Sequence, residues 1–357
     1  MIQVNVCDGK RMLCDVPPEE IGQHLRRPNG NADAKNGNPP TLYSPTLWID
    51  VTAPTEDDWR ILTEKFDFHP LAVEDAQQER QRAKVDSYDG YLFLSVRTWA
   101  GMPQQITSDV LDLTHEIDIF LGPNYLVTIH HEPVPVVEDT RKRWERNPAH
   151  IGIKPAYLLY LLLDALVDDY FPVMDELDMA IDVLETDLYS EVRNDPRTGA
   201  LVLPDMKPAL TLKKRLLLLR QAVAPHRDIL NYLLRTDDQT LLPRKLHVFY
   251  QDVYDHTLRL TEQIDLHRDI MGGVMDSMMA QASNRMAETS NRLNQVMKTM
   301  TVISTILMSA SLISGIYGMN LPNMWLQHSP HAFNIIMGVI ASVAVLLFLF
   351  FRRIKWF

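Results

Sequence analysis

No Asp, Glu, Lys or Arg occurs between Thr299 and Phe351, so this stretch lacks the charged surface that keeps a soluble domain in water. All 46 acidic residues and all but three of the 35 basic residues precede it, which sets an acidic body beside an uncharged tail. An excess of base is missing too: the net charge of −11 has the wrong sign for a dedicated nucleic-acid binder. The two cysteines, Cys7 and Cys14, exclude a disulfide framework, and neither has the partners of a zinc site. GxSxG, HExxH and P-loop patterns are lacking, which disfavours a soluble hydrolase. Residues 1–15 show no long apolar run, so a signal peptide is not expected.

What the tail does contain is two runs of membrane-spanning length. Met300–Tyr317 and Phe333–Phe351 each approach the ~20 residues that a helix needs to cross hydrocarbon. Lys298 precedes the first run, and Arg352, Arg353 and Lys355 follow the second. A basic ring at the cytoplasmic membrane face is therefore expected, with both termini in the cytoplasm and lipid around the spans. The second run is uniformly apolar. The first carries six Ser and Thr residues, with Thr299 just before it, and should face protein or water.

The body reads as two parts. Residues 1–155 are a cytoplasmic α/β domain with short β-rich runs at 91–96, 111–113, 116–121 and 125–129, and helical patterns at 56–66 and 70–78. Residues 26–45, rich in Gly, Asn and Pro, read as a mobile loop without functional content. Residues 156–298 are a helical hairpin and a long stalk helix, and residues 299–357 a two-helix transmembrane domain. From Asp164 to Glu191 there are ten acids and no base, and Lys213, Lys214, Arg215 and Arg220 follow on the return. This reads either as a self-complementary hairpin or as a cation-concentrating helix near a pore mouth. No proline interrupts the chain from about Lys245 to Tyr317, so one helix should run through the stalk and the first span, with Gly272-Gly273 as its bend.

On that helix one heptad seam reads Gly273, Asp276, Ala280, Ser283, Ala287, Ser290, Asn294, Met297, Thr301, Ser304, Met308, Ser311, Gly315. Leu, Ile, Val and Phe are absent from it, the reverse of a coiled-coil seam. Met286, Leu293, Met300, Ile303 and Leu307 form flanking apolar stripes. Copies packed through those flanks would turn the small and polar seam toward a common axis. Close packing of small residues between spans, or simple exposure, would produce the same pattern. The duplication Ser283-Asn284-Arg285-Met286 and Ser290-Asn291-Arg292-Leu293 inserts seven residues and preserves facing.

The tetrapeptide Tyr317-Gly318-Met319-Asn320 follows the first run. With Tyr157–Tyr160, Asp164–Phe171, Asp252–Thr257, Asn294–Lys298 and the Lys-Trp-Phe end, it resembles the CorA-type magnesium channel family over roughly residues 60–357. The resemblance implies a homopentameric funnel of α+β class with a cytoplasmic α/β domain, a long pore helix and two C-terminal spans. It implies passive influx of Mg²⁺, with Co²⁺ or Ni²⁺ plausible, through a selectivity filter of Tyr317, Gly318, Met319 and Asn320. Pore-lining and gating roles fall on Asn294, Met297, Met300, Ser304, Met308 and Ser311, with Asp276 as the family's inner seam acid displaced by one heptad, and the seam adds Ser283, Ser290, Thr301 and Gly315 as pore-lining candidates. Intracellular Mg²⁺ bound between protomers through Asp252, with Asp255, would hold the channel shut. The family's partner acid falls near Ala100-Gly101-Met102, where Asp109 or Asp112 would have to substitute.

Four further readings remain beside this one. Asp252, Asp255 and His256 share a helical face, suited either to a transition metal or to ordinary ion pairing. His130-His131-Glu132 is a polar strand end with a lesser claim to metal. A proton-coupled Zn²⁺ transporter of ZntB type and a membrane-anchored scaffold are the alternative functions, and Met319 argues against the former.

Overall fold

A computed structural model describes residues 1–8, 11–25, 45–78, 80–101, 109–147, 154–189, 205–319, 330–354 and 356. Residues 26–44 of the expected 26–45 loop, the turn at 195–199, Met102, Asn320 and Lys355 lie outside the described residues. The chain forms two compact units, Met1–Ser190 with Asp205–Met275, and a second containing Asp276–Phe357.

The first unit is built on seven strands among the described residues: β1 (Ile2–Asp8), β2 (Arg11–Leu13), β3 (Thr46–Thr52), β4 (Lys84–Tyr88), β5 (Tyr91–Trp99), β6 (Thr114–Leu121) and β7 (Tyr125–His130). They lie in the order β2-β1-β3-β7-β6-β5-β4. Only β3 and β7 run parallel; the other neighbours are antiparallel. Both edge strands are short. The β4–β5 hairpin turns on Asp89-Gly90, with Gly90 at φ +84°, which an L side chain adopts only under strain. The Gly122 turn into β7 needs glycine for another reason: a Cβ there would sit 2.1 Å from the Tyr125 ring.

The strands β3, β5 and β7 are buried on both faces, and apolar residues make up most of each. One face packs on the small helix α1 (Ile21–His24), α2 (Glu56–Phe66) and α3 (Pro70–Gln77) through Val4, Ile49, Leu62, Ala72, Phe93 and Phe120. Thr55 and Asp58 close a capping box at the start of α2, and Asp67 ends the helix in the left-handed region. The other face packs on α4 (Pro135–Arg146), α5 (Pro155–Asp168), α7 (Lys207–Arg235) and the first turns of α8 (His247–Tyr317). α5 is buried on most of its circumference, and only its acidic end reaches the surface. Between α5 and α7 lies α6 (Phe171–Tyr189).

One sequence expectation needs correction. Leu111–Leu113 is not a strand but part of a 3-10 turn, Val110–Leu113, capped by the Asp109 carboxylate. Both the acidic and the basic helix also pair with α8: Asp178 of α6 with His267, and Arg220 of α7 with Asp265 at 2.7 Å. The second unit holds the later part of α8 and α9 (Ala332–Arg353). Both helices are long and apolar enough to cross a membrane.

Candidate metal cluster and ion path

In the first unit, α5 and α8 together bring Asp164, Asp252 and His256 into one group, with ligand atoms within 4.8 Å of one another. The Tyr250 hydroxyl donates to the Ala156 carbonyl at 2.6 Å and sets the register of the two helices. His256 Nε2 lies 3.9 Å from Asp252, and its Nδ1 lies 3.8 Å from Asp168, beyond hydrogen-bond distance in both cases. The ring rests edge-on against Phe171. Partial burial and then the charges of Asp168 and Asp252 raise the Asp164 pKa, with His256 opposing them. Crowded carboxylates of this kind lower their energy by taking up a cation. Two carboxylates suit Mg²⁺, and the imidazole extends the set to borderline metals.

Sequence reasoning anticipated Asp252 and His256 but not Asp164, because the pairing of α5 with α8 is a tertiary fact. Asp255, on the expected face, does not join the group; it accepts a hydrogen bond from Gln251 at 2.9 Å. The other expected acids are engaged elsewhere, Asp109 as a cap and Asp112 in an ion pair with Arg80. His130 is turned into the sheet interior, and Glu132 reaches His115 at 3.1 Å.

In the second unit, Met297, Met300, Thr301, Ser304, Thr305, Met308, Ser309 and Leu312 line one groove of about 540 Å³ along α8. Five of these were expected from the seam or its flank. Thr305, Ser309 and Leu312 were not, because a straight helix drifts from a strict seven-residue repeat. The hydroxyls share an orientation. Thr301 donates to the Met297 carbonyl at 2.8 Å, Thr305 to Thr301 at 2.7 Å, and Ser309 to Thr305 at 2.7 Å. Each proton is thereby committed to the helix, and the oxygen lone pairs are what the groove offers. Met297 and Met308 are 66% and 72% exposed, so thioethers alternate with these acceptors.

Asp276, Ser283, Ser290, Asn294, Ser311 and Gly315 also lie exposed on α8. Tyr317 ends the helix, and the Gly318 and Met319 amides bond back to Ser314 and Ile316. Lys298 is exposed on α8, while Arg352 and Arg353 occupy the last turn of α9, where cations complement the helix dipole.

Comparison with known proteins agrees with this architecture. The family model described as CorA-like Mg2+ transporter protein matches residues 44–353. The chain is 32% identical to the putative metal ion transporter YfjQ of Bacillus subtilis, over 87% of this chain and 89% of that protein. It is 31% identical to the cobalt/magnesium transport protein CorA of Thermotoga maritima, over 88% of this chain and 84% of that protein. The solved structure of the CorA magnesium transporter from Methanocaldococcus jannaschii superposes with TM-score 0.64 at 19% identity, covering 100% of this chain and 99% of that one. These proteins are membrane transporters, not enzymes. With the family model spanning most of its length and two relatives above 30% identity, the chain belongs to the CorA-like Mg²⁺ transporter family.

Proposed function

We propose that copies of this chain assemble, as a pentamer, around the hydroxyl- and thioether-lined groove of α8 and conduct hydrated divalent cations passively into the cell. Mg²⁺ is the principal ion, and Co²⁺ and Ni²⁺ are carried alongside it. The observation that carries this reading is the groove itself: hydroxyl donors are spent on the backbone, leaving acceptors and soft thioethers along one helical face. Mg²⁺ sheds its waters reluctantly, and neutral acceptors hold a hydrated ion without trapping it. The Met rings act as the gate, narrowing to a constriction that dewets. Asn320, placed by sequence directly after Met319, supplies a collar of amide oxygens at the outer mouth. The body and both termini are cytoplasmic, as the basic residues at the inner ends of the spans require.

Regulation is assigned to Asp252 with Asp164 and His256. Internal Mg²⁺ bound there holds the assembly shut, and its loss frees it. The relative named for cobalt and magnesium transport supports this choice of ions. Flux of Mg²⁺, Co²⁺ and Zn²⁺ into liposomes, with and without a pH gradient, tests the reading. Mg²⁺ flux indifferent to the gradient is expected. Zn²⁺ flux that requires the gradient would replace the channel with a proton-coupled transporter, and silence toward every ion from folded oligomers would leave a scaffold.

A further inference from the structure

The end of β7 carries a buried polar chain that ion transport does not use. Trp48 Nε1 donates to the Thr128 hydroxyl at 3.0 Å, and that hydroxyl donates to Asp50 Oδ1 at 2.6 Å. His130 Nε2 lies 3.1 Å from the same Asp50 oxygen, and His130 Nδ1 lies 2.6 Å from the Glu132 carbonyl. All four residues are at most 6% exposed. A carbonyl oxygen only accepts, and so does a carboxylate, so both ring nitrogens of His130 must carry hydrogen. The geometry therefore calls for an imidazolium facing a carboxylate in the interior.

The surroundings bear on that proton from every side. Burial disfavours the charged ring, but the hydrogen bond and charge of Asp50 and the Glu132 carbonyl outweigh it, and the His130 pKa is raised. The Met1 ammonium opposes the ring charge. Arg141 of α4 is favoured by Asp50 and pairs with Glu138 and with Glu145 at 3.1 Å. The Glu132 carboxylate is directed to His115 of β6.

We propose that His130 is a proton-operated latch, in which the imidazolium fastens β3, β7 and the turn that leads into α4 and deprotonation releases that turn. With its proton gone, the ring keeps its remaining hydrogen toward the charged Asp50 oxygen, the stronger acceptor, and presents a lone pair to the Glu132 carbonyl, which frees the turn. The fastening is therefore complete below the ordinary histidine pKa and is lost as pH rises through the raised, folded-state value. This holds whatever ion the chain carries.

The test is ring-nitrogen NMR of histidine-labelled full-length protein in micelles, joined to amide hydrogen exchange between pH 6 and 9. The expected result is one buried histidine protonated on both nitrogens at pH 7, and absent from that state in His130→Gln. Amides from His131 through the first turn of α4 should exchange up to roughly tenfold faster per unit of pH between the ordinary histidine pKa and the His130 midpoint, and level off above it, after correction for intrinsic rates. In His130→Gln that excess pH dependence should vanish. A neutral His130 ring at pH 7, or an exchange profile identical in the two proteins, would overturn the latch. Should the variant not fold, the titration of the unsubstituted protein decides alone, and Asp50→Asn should lower the midpoint.

Discussion

The hydroxyl of Tyr250 and the carbonyl of Ala156 meet at 2.6 Å, joining the first turn of α8 to the first turn of α5. Both groups are buried, so the bond fixes the level at which the acids of the two helices face each other. Tyr250→Phe removes this buried hydrogen bond while the carbonyl keeps its helical partner, and should cost about 0.5–1.5 kcal/mol of stability, read by thermal unfolding. It should also weaken divalent-cation protection of the fold. An unfolding curve superimposable on the parent's, with and without Mg²⁺, would sever this bond from the cluster.

Asp164→Asn tests the cluster directly. The folded chain should lose at least roughly tenfold in affinity for Mg²⁺ or Co²⁺, seen as a smaller cation-induced rise in Tm. Asp255→Asn should leave that rise unchanged, because Asp255 is engaged with Gln251. Protons compete with cations for Asp164, Asp252 and His256, so the protection should fade as pH falls, sooner than for an ordinary carboxylate because the Asp164 pKa is raised. A protection independent of pH would place the cations elsewhere.

Along the groove, Thr305→Val keeps the shape and removes the lone pairs. Mg²⁺ flux should fall while the oligomer remains intact, whereas Thr305→Ser should conduct. Asn320→Ala should abolish Mg²⁺ uptake without disturbing assembly. Parent-like flux in both Thr305→Val and Asn320→Ala would remove acceptor oxygens from the conduction path.

The buried ion pair of Arg97 and Glu116, 2.8 Å apart, ties β5 to β6, and Glu116 also accepts from Ser95 and the Gln81 amide. Glu116→Ala strands the guanidinium and should cost about 3–5 kcal/mol, measured by denaturant unfolding of the full chain. A loss below about 1 kcal/mol, the value of an exposed pair, would show that water reaches the site.

Asp118 offers a pH prediction of definite sign. Burial, then the nearby Glu116 charge, raise its pKa well above the carboxylate range, and its Oδ1 has no hydrogen-bond partner. The folded state therefore prefers the protonated acid, and stability is lost as pH climbs from the unfolded carboxylate value toward the folded one. Asp118→Asn should be at least as stable as the parent at pH 7, with an advantage that shrinks toward pH 4. A variant destabilised equally at both values would contradict a neutral Asp118.

Much of this architecture was legible in the chain. The charge-free tail, the two spans and the helix ending at Tyr317 follow from composition and from the absence of proline, which act locally. The strands β5, β6 and β7 announced themselves by β-branched and aromatic runs. The strands β1, β3 and β4 were harder, because β1 and β4 interleave polar residues and β3 follows a stretch without pattern. The 3-10 turn at Val110–Leu113 had the right residues for a strand, but the Asp109 cap bent it instead. Within the site, Met297, Thr301, Ser304 and Met308 were readable because helical period is a property of one segment. Asp164 was not, since nothing in α5 alone tells which helix will lie beside it.

The two margins of the sheet have a consequence for life in an assembly. β2 spans only three residues and opens with Arg11, and β4 presents Lys84 and Asp86. In any protein held at high local concentration, an open strand edge can serve as a template for runaway pairing with a second copy. Short length and fixed charge make each margin a poor template, so these bodies can stand side by side without their sheets fusing.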